Sequence, residues 1–188
     1  MNVAEQLVAQ LIDAGVHRVY GIVGDSLNPV VDAIRKSGGS KKGGIDWVHV
    51  RHEEAAAFAA AAEAQLTGKL AVCAGSCGPG NLHLINGLYD AQRSGAPVLA
   101  IASHIPSVQI GQMYFQETHP DRLFNECSVY NELISSAEQA PRVVNAAIRH
   151  AVELSGVSVI SLPGDVSDLK ASSPSPKYVP SRRPVLTP

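Results

Sequence analysis

No run of about 18 or more apolar residues occurs in the chain, so no segment reads as a membrane-spanning helix. Basic residues are not in excess either. Lys and Arg number 15 against 17 Asp and Glu, for a net charge of −2, and no basic stripe is present. That argues against a nucleic-acid surface. Cysteine is scarce and odd in number: Cys73, Cys77 and Cys127 all lie in or near apolar segments. A reduced, cytosolic protein fits them better than a disulfide framework. Cys73 and Cys77 with His83 invite a metal reading, but no second ligand pair follows, so no metal site is assigned. The N-terminus turns polar within two residues and lacks a signal-peptide pattern. No internal repeat is visible.

What remains is a chain of 188 residues, 45% apolar and 17% charged, the balance of a soluble, well-buried α/β domain. Helical spacing marks residues 3–14, with apolar side chains at 3, 7, 8, 11 and 12 and Gly15 as the stop. A strand over 17–23, the turn Gly24-Asp25-Ser26 and a helix started by Asn28-Pro29 follow. Residues 37–44 (SGGSKKGG) read as a flexible surface loop. Further strands are expected over 45–50, 70–74, 97–102, 130–134 and 157–162. Helices are expected over 53–64, 82–93 and 140–154, with a short one near Leu123. Residues 104–120 show no period, and long irregular loops in compact domains are usually functional. Strands alternating with helices imply a three-layer α/β/α domain with a mostly parallel sheet. It should span residues 1–170. From Ala171 onward five prolines in 18 residues give a linker or tail composition, 171–188.

Two stretches at strand-to-helix turns bear on chemistry. In the first, Arg51-His52-Glu53-Glu54 precedes a segment in which eight of the twelve residues from 53 to 64 are alanine. Alanine is the best helix former, and carboxylates are favoured at a helix N-terminus. In an open α/β sheet this is also the edge where ligands bind. By themselves, though, Glu53 and Glu54 are ordinary first-turn acids. The second is Gly75-Ser76-Cys77-Gly78-Pro79-Gly80-Asn81. Its glycines do not fit G-x-G-x-x-G, and no Gly-Lys-Ser/Thr follows. It falls one position short of the nucleophile elbow G-x-S-x-G around Ser76, which admits a serine hydrolase. Asp90 with His104 or His119, or Asp121 with His150, would complete a triad. Such matches are cheap in a chain with 7 histidines and 17 acids.

Taken in order, Gly21-Ile22-Val23-Gly24-Asp25-Ser26-Leu27-Asn28, Arg51-His52-Glu53-Glu54-Ala55-Ala56-Ala57-Phe58, Gly75-Ser76-Cys77-Gly78-Pro79-Gly80-Asn81-Leu82-His83, Ala96-Pro97-Val98-Leu99-Ala100-Ile101 and Phe115-Gln116-Glu117-Thr118-His119-Pro120 carry a resemblance. Over residues 2–170 the chain resembles the pyrimidine-binding (PYR) domain of thiamine diphosphate-dependent 2-oxo-acid enzymes. Within them it is most similar to the flavin-containing pyruvate oxidase and pyruvate:quinone oxidoreductase branch. Acetolactate synthase-like enzymes, 2-oxo-acid decarboxylases and a stand-alone module without catalysis are the alternatives.

The resemblance implies that Glu53 hydrogen-bonds N1′ of the cofactor's aminopyrimidine. Proton exchange there leads to loss of the thiazolium C2 proton and attack on a 2-oxo acid such as pyruvate. The role needs a carboxyl whose proton affinity approaches that of the ring nitrogen, and a dry site moves it that way. Glu54, about 100° further round the helix, is expected to be structural. The resemblance further implies that Gly24, Asp25, Ser76, Pro79 and His83 bind cofactor, while Phe115 and Gln116 approach the substrate. His52, His104 and His119 receive no role. The implied cofactors are thiamine diphosphate here, with Mg2+ and FAD in the full enzyme. The implied partners are the diphosphate-binding domain of a neighbouring subunit in a homodimer or homotetramer, and a quinone acceptor. A cytoplasmic location follows, peripheral to the inner face of the membrane for the full enzyme. One departure matters: the Gly-Asp-Gly motif and later Asn-Asn that hold the diphosphate and Mg2+ are absent. The chain alone is therefore expected to be inactive. The helix of residues 55–64, with that of 82–93, is expected to present small side chains to a partner.

Overall fold

Strands buried along their whole length and an alanine-rich helix decide this architecture. The computed structural model describes residues 1–172, 174 and 176–179. Six strands, β1 (Arg18–Gly21), β2 (Asp46–His49), β3 (Ala71–Gly75), β4 (Val98–His104), β5 (Tyr130–Leu133) and β6 (Val157–Pro163), form one sheet in the order β2-β1-β3-β4-β6-β5. Every pairing is parallel, so the expected mostly parallel sheet is wholly so. Among the described residues seven α-helices complete it: α1 (Val3–Asp13), α2 (Asn28–Ser37), α3 (Glu53–Thr67), α4 (Pro79–Arg93), α5 (Pro120–Leu123), α6 (Ala140–Leu154) and α7 (Gly164–Asp168). The domain is a three-layer α/β/α sandwich.

The apolar runs of β3, β4 and β6 hide an alternation of size. Val72, Ala74, Leu99, Ile101, Ile160 and Leu162 point to the side that α1, α2 and α6 cover with Leu7, Leu11, Ile34, Val144 and Ile148. Ala71, Cys73, Val98, Ala100, Ala102 and Val159 point to the other side, where α3 and α4 contribute Ala56, Ala57, Ala60, Ala61, Leu84 and Leu88. Fully burying one leucine contributes about 1.5–3 kcal/mol, so most of the driving force lies on the first side. On the second side, contact is gained by approach. A Cβ built on Gly87 of α4 would stand 2.5 Å from Ala57 Cβ of α3.

Several boundaries differ from those expected, each for a local reason. α4 starts at Pro79 rather than at 82, because Pro is suited to the first turn of a helix. Gly78, with φ of +68°, supplies the turn before it. β4 runs two residues longer, as Ser103 and His104 still pair with Leu162 and Pro163. α7 was not expected, since the sequence there reads only as a Gly-Asp turn. The loop of residues 37–44 is not a loose stretch. It winds into a 3-10 turn, Ser40–Lys42, held where the Ser40 amide and hydroxyl both donate to Asp46. In the proline-rich segment the Tyr178 amide donates to Asp13 Oδ2 at 2.6 Å, and its ring packs on the core. Of the expected tail, residues 173, 175 and 180–188 lie outside the described residues.

The alanines of α3 are not a partner-facing stripe. Ala57 and Ala61 are buried inside the domain, which corrects the expectation that this helix associates through them. Its outward residues are instead Ala55, Phe58, Ala62 and Leu66.

Candidate functional site

The strand order reverses between β1 and β3, the carboxyl-edge crevice where open α/β sheets bind ligands. Ser26, in the 3-10 turn Asp25–Leu27 after β1, bridges it. Its Oγ lies 3.0 Å from Ser76 Oγ and accepts the Cys77 amide at 3.0 Å, while its carbonyl accepts Ser103 Oγ at 2.5 Å. One small polar residue thus ties the ends of β1, β3 and β4 together. Gly24 belongs to the same seam, where a Cβ would collide with the Ser76 side chain. Asn81, fully buried in α4, adds a bond from Nδ2 to the Ser103 carbonyl at 2.8 Å.

Beside the seam opens a cleft of about 440 Å³ lined by Asp25, Cys77, His104, Phe115, Gln116 and Asp165, among others. Gln116 sits in the left-handed region at φ of 64°, a strained setting for a residue with a Cβ. It packs on Gly78, whose missing side chain makes room: a Cβ there would meet Gln116 Cβ at 2.8 Å. Phe115 is 80% exposed at the rim. Burial lowers the pKa of His104, with Glu117 opposing that shift. Its Nδ1 has no partner among the described residues. Asp165 is held below the usual carboxylate range by the amide and hydroxyl of Ser107, against the upward push of burial, the largest single influence.

Glu53 stands apart from this cleft, at the start of α3. It is 8% exposed, and its Oε2 pairs with His83 Nδ1 of α4 at 3.1 Å. Oε1 has no hydrogen bond among the described residues. It faces Gly80, where an added Cβ would approach it to 3.2 Å. His52 caps α3 through Nδ1, accepting the Glu54 amide at 3.2 Å. Its ring stacks on His83 with centroids 4.3 Å apart. Glu54 turns outward and accepts from Asn86 Nδ2 at 3.2 Å.

The expected residues therefore separate into two groups joined by the serine seam. Glu53, His83 and the first turn of α4 at Pro79 form one, while Asp25, Phe115 and Gln116 share the cleft. His119 is exposed just before α5 and belongs to neither. Ser26, Ser103 and Asp165 were given no role from the sequence, and His104 only a place in the hydrolase alternative. The signal was a small polar residue just past or at the end of successive strands, which means little until the strands are aligned.

The hydrolase reading gains no support from the hydrogen bonds of the described residues. The hydroxyl of Ser76 pairs with that of Ser26, and His150 is bonded to the Ala146 carbonyl and stacked on Tyr130. Burial pushes the Cys73 thiol up to about 12, and among the described residues Cys73, Cys77 and His83 do not come together as a ligand cluster.

The sequence comparisons show the family. Residues 1–123 match the family described as thiamine pyrophosphate enzyme, N-terminal TPP binding domain, and the chain belongs to that family. Among relatives, an uncharacterized 42.6 kDa protein of Pseudomonas amyloderamosa is 60% identical over all of this chain and 46% of its own length. Pyruvate oxidase of Lactiplantibacillus plantarum is 40% identical over 85% of the chain and 26% of its own length. Acetolactate synthase isozyme 2 large subunit of Escherichia coli is 35% identical over 88% and 29%. The chain thus spans less than half the length of each of these relatives.

Proposed function

We propose that this chain is the pyrimidine-binding part of a thiamine diphosphate enzyme that oxidatively decarboxylates pyruvate, in the manner of a flavin-linked pyruvate oxidase or pyruvate:quinone oxidoreductase. The observation that carries the reading is Glu53, a nearly buried carboxylate with one oxygen held by His83 and the other facing the bare Cα of Gly80. That notch fits the flat edge of an aminopyrimidine, which needs one acceptor and no side chain above it. When bound, the cofactor supplies the carbon nucleophile and electron sink for decarboxylation. The chain's own contribution is the proton at Glu53. His83 keeps Oε2 in place, so the other oxygen can hold or release a proton toward the ring. Gly24, Ser76 and Pro79 shape the pocket, and Asp25 lies at its margin. Phe115 and Gln116 extend over the cleft where the 2-oxo acid approaches.

Since neither a Gly-Asp-Gly nor an Asn-Asn motif occurs in these 188 residues, we assign the diphosphate and Mg2+, and with them FAD and the quinone, to other parts of the whole protein. Exposed Phe58 and Leu82, at 41% and 45%, are the apolar residues such a partner domain would cover. The likeness to acetolactate synthase at 35% identity supports a second reading, condensation of two 2-oxo acids. The test is the complete enzyme with pyruvate, thiamine diphosphate, Mg2+ and FAD. Reduction of a quinone or dye, with acetate formed, supports the first reading; acetolactate without reduction selects the second. Turnover by the 188-residue chain alone would refute the division of labour.

A further inference from the structure

Two imidazoles and the Glu53 carboxylate meet at one point of the surface. His52 comes from the turn before α3, Glu53 from the first position of α3 and His83 from α4. One ligating atom from each lies within 4.8 Å of the other two. We propose that His52, Glu53 and His83 form a site for a borderline divalent cation of the zinc, cobalt or nickel type.

The donor set selects the ion. Imidazole suits Zn, Ni and Cu, whereas Mg and Ca require oxygen ligands. Two histidines and one glutamate are also a known ligand count for zinc with a position left open. Ligand distances of roughly 2.1 Å place the donors of a tetrahedral ion roughly 3.4 Å apart. The most separated of the present atoms, within 4.8 Å of each other, must therefore close by up to about 1.4 Å. Nothing rigid resists that closure. The side chains of His52 and His83 are 49% and 44% exposed, and among the described residues each has one hydrogen bond, His52 with a longer pairing to Glu54 besides. Their stacking already brings the two rings to the same side of Glu53. The helix N-terminus opposes a cation with about half a positive charge, but the carboxylates of Glu53 and Glu54 outweigh it.

An ion bound there takes the Glu53 oxygens that the proposed function reserves for the pyrimidine. Metal and cofactor are then alternative occupants, and a trace transition metal shuts the site. The metal site itself does not depend on thiamine chemistry, so the two readings fail separately.

The test is calorimetric titration of the 188-residue chain with ZnCl2, repeated with CoCl2 while the visible spectrum is recorded. One ion per chain is expected, with cobalt bands of a four-coordinate nitrogen and oxygen site. His52→Ala, His83→Ala and Glu53→Gln should each weaken binding about tenfold or more, as loss of a metal contact does. His119→Ala, at a histidine remote from the cluster, should not. Circular dichroism confirms that each variant is folded. No binding below millimolar zinc, or binding that survives all three variants or is lost in His119→Ala, would overturn the site.

Discussion

The two faces of the sheet are built on opposite principles. Under α1, α2 and α6 lie leucines, isoleucines and valines, filling space with volume. Under α3 and α4 lie alanines, a glycine and small strand residues, filling it by proximity. The first face supplies stability and bears none of the expected site residues. The second brings Glu53 and His83, 30 positions apart in the chain, to 3.1 Å. Close helix approach is what a side-chain pair of that length requires. The difference teaches that on this fold the weaker hydrophobic face is the one that carries the Glu53–His83 pair.

Substitutions can break this contrast, and the largest effect should come from Glu53→Gln. In the complete enzyme it is expected to lower activity about 10²- to 10⁴-fold, the usual worth of a positioned acid or base. The unfolding midpoint should stay in place. Glu54→Gln should cost far less, because that side chain meets only the exposed groups of Asn86 and His52. Equal losses, read as the rate of cofactor C2–H exchange, would put the working carboxylate elsewhere.

Leu11→Ala on the aliphatic face should do the reverse. It removes a side chain with no exposed surface and should cost about 2–5 kcal/mol in urea unfolding, with specific activity of the folded fraction preserved. Gly87→Ala sharpens the comparison further. Its methyl would meet Ala57 Cβ and the Phe58 amide at 2.5 and 2.7 Å, so α3 and α4 must part. A stability loss of about 1–3 kcal/mol is expected, together with a drop in activity that Leu11→Ala does not show. If Gly87→Ala leaves activity intact, proximity of these helices is not what sets the site.

The smallest effect concerns pH. Burial lowers the pKa of His104, so the folded state disfavours its charged form. The unfolded chain then binds the extra proton, and stability is complete above about 6.5 and lost as pH falls from there through the lowered folded value. His104→Gln should flatten that part of the stability curve, followed by urea midpoints between about pH 8 and 5. An unchanged slope would assign the acid sensitivity to other groups, Glu117, His119 and Asp121 being the charges that act on His104.

Much of this molecule was legible in the chain. Alternation of strands and helices, the alanine run, prolines at helix starts and the acids at the start of α3 are local features, and local propensity determined them. α6 falls on its expected residues, and all six strands occur where apolar runs placed them. Glu53, Ser76 and Gln116 stood out in motifs, because the resemblance is carried by contiguous residues. Tertiary structure alone decided the rest. An all-apolar strand does not say which of its faces meets alanine and which meets leucine, since both are buried. The inward turn of Ala57 and Ala61 followed from that choice, as did the serine seam that only aligned strand ends create. The pairing of Glu53 with His83 and the stacking of His52 on the same ring belong to it as well. Those contacts join residues distant in the chain, and no spacing along a sequence encodes the angle at which two helices cross.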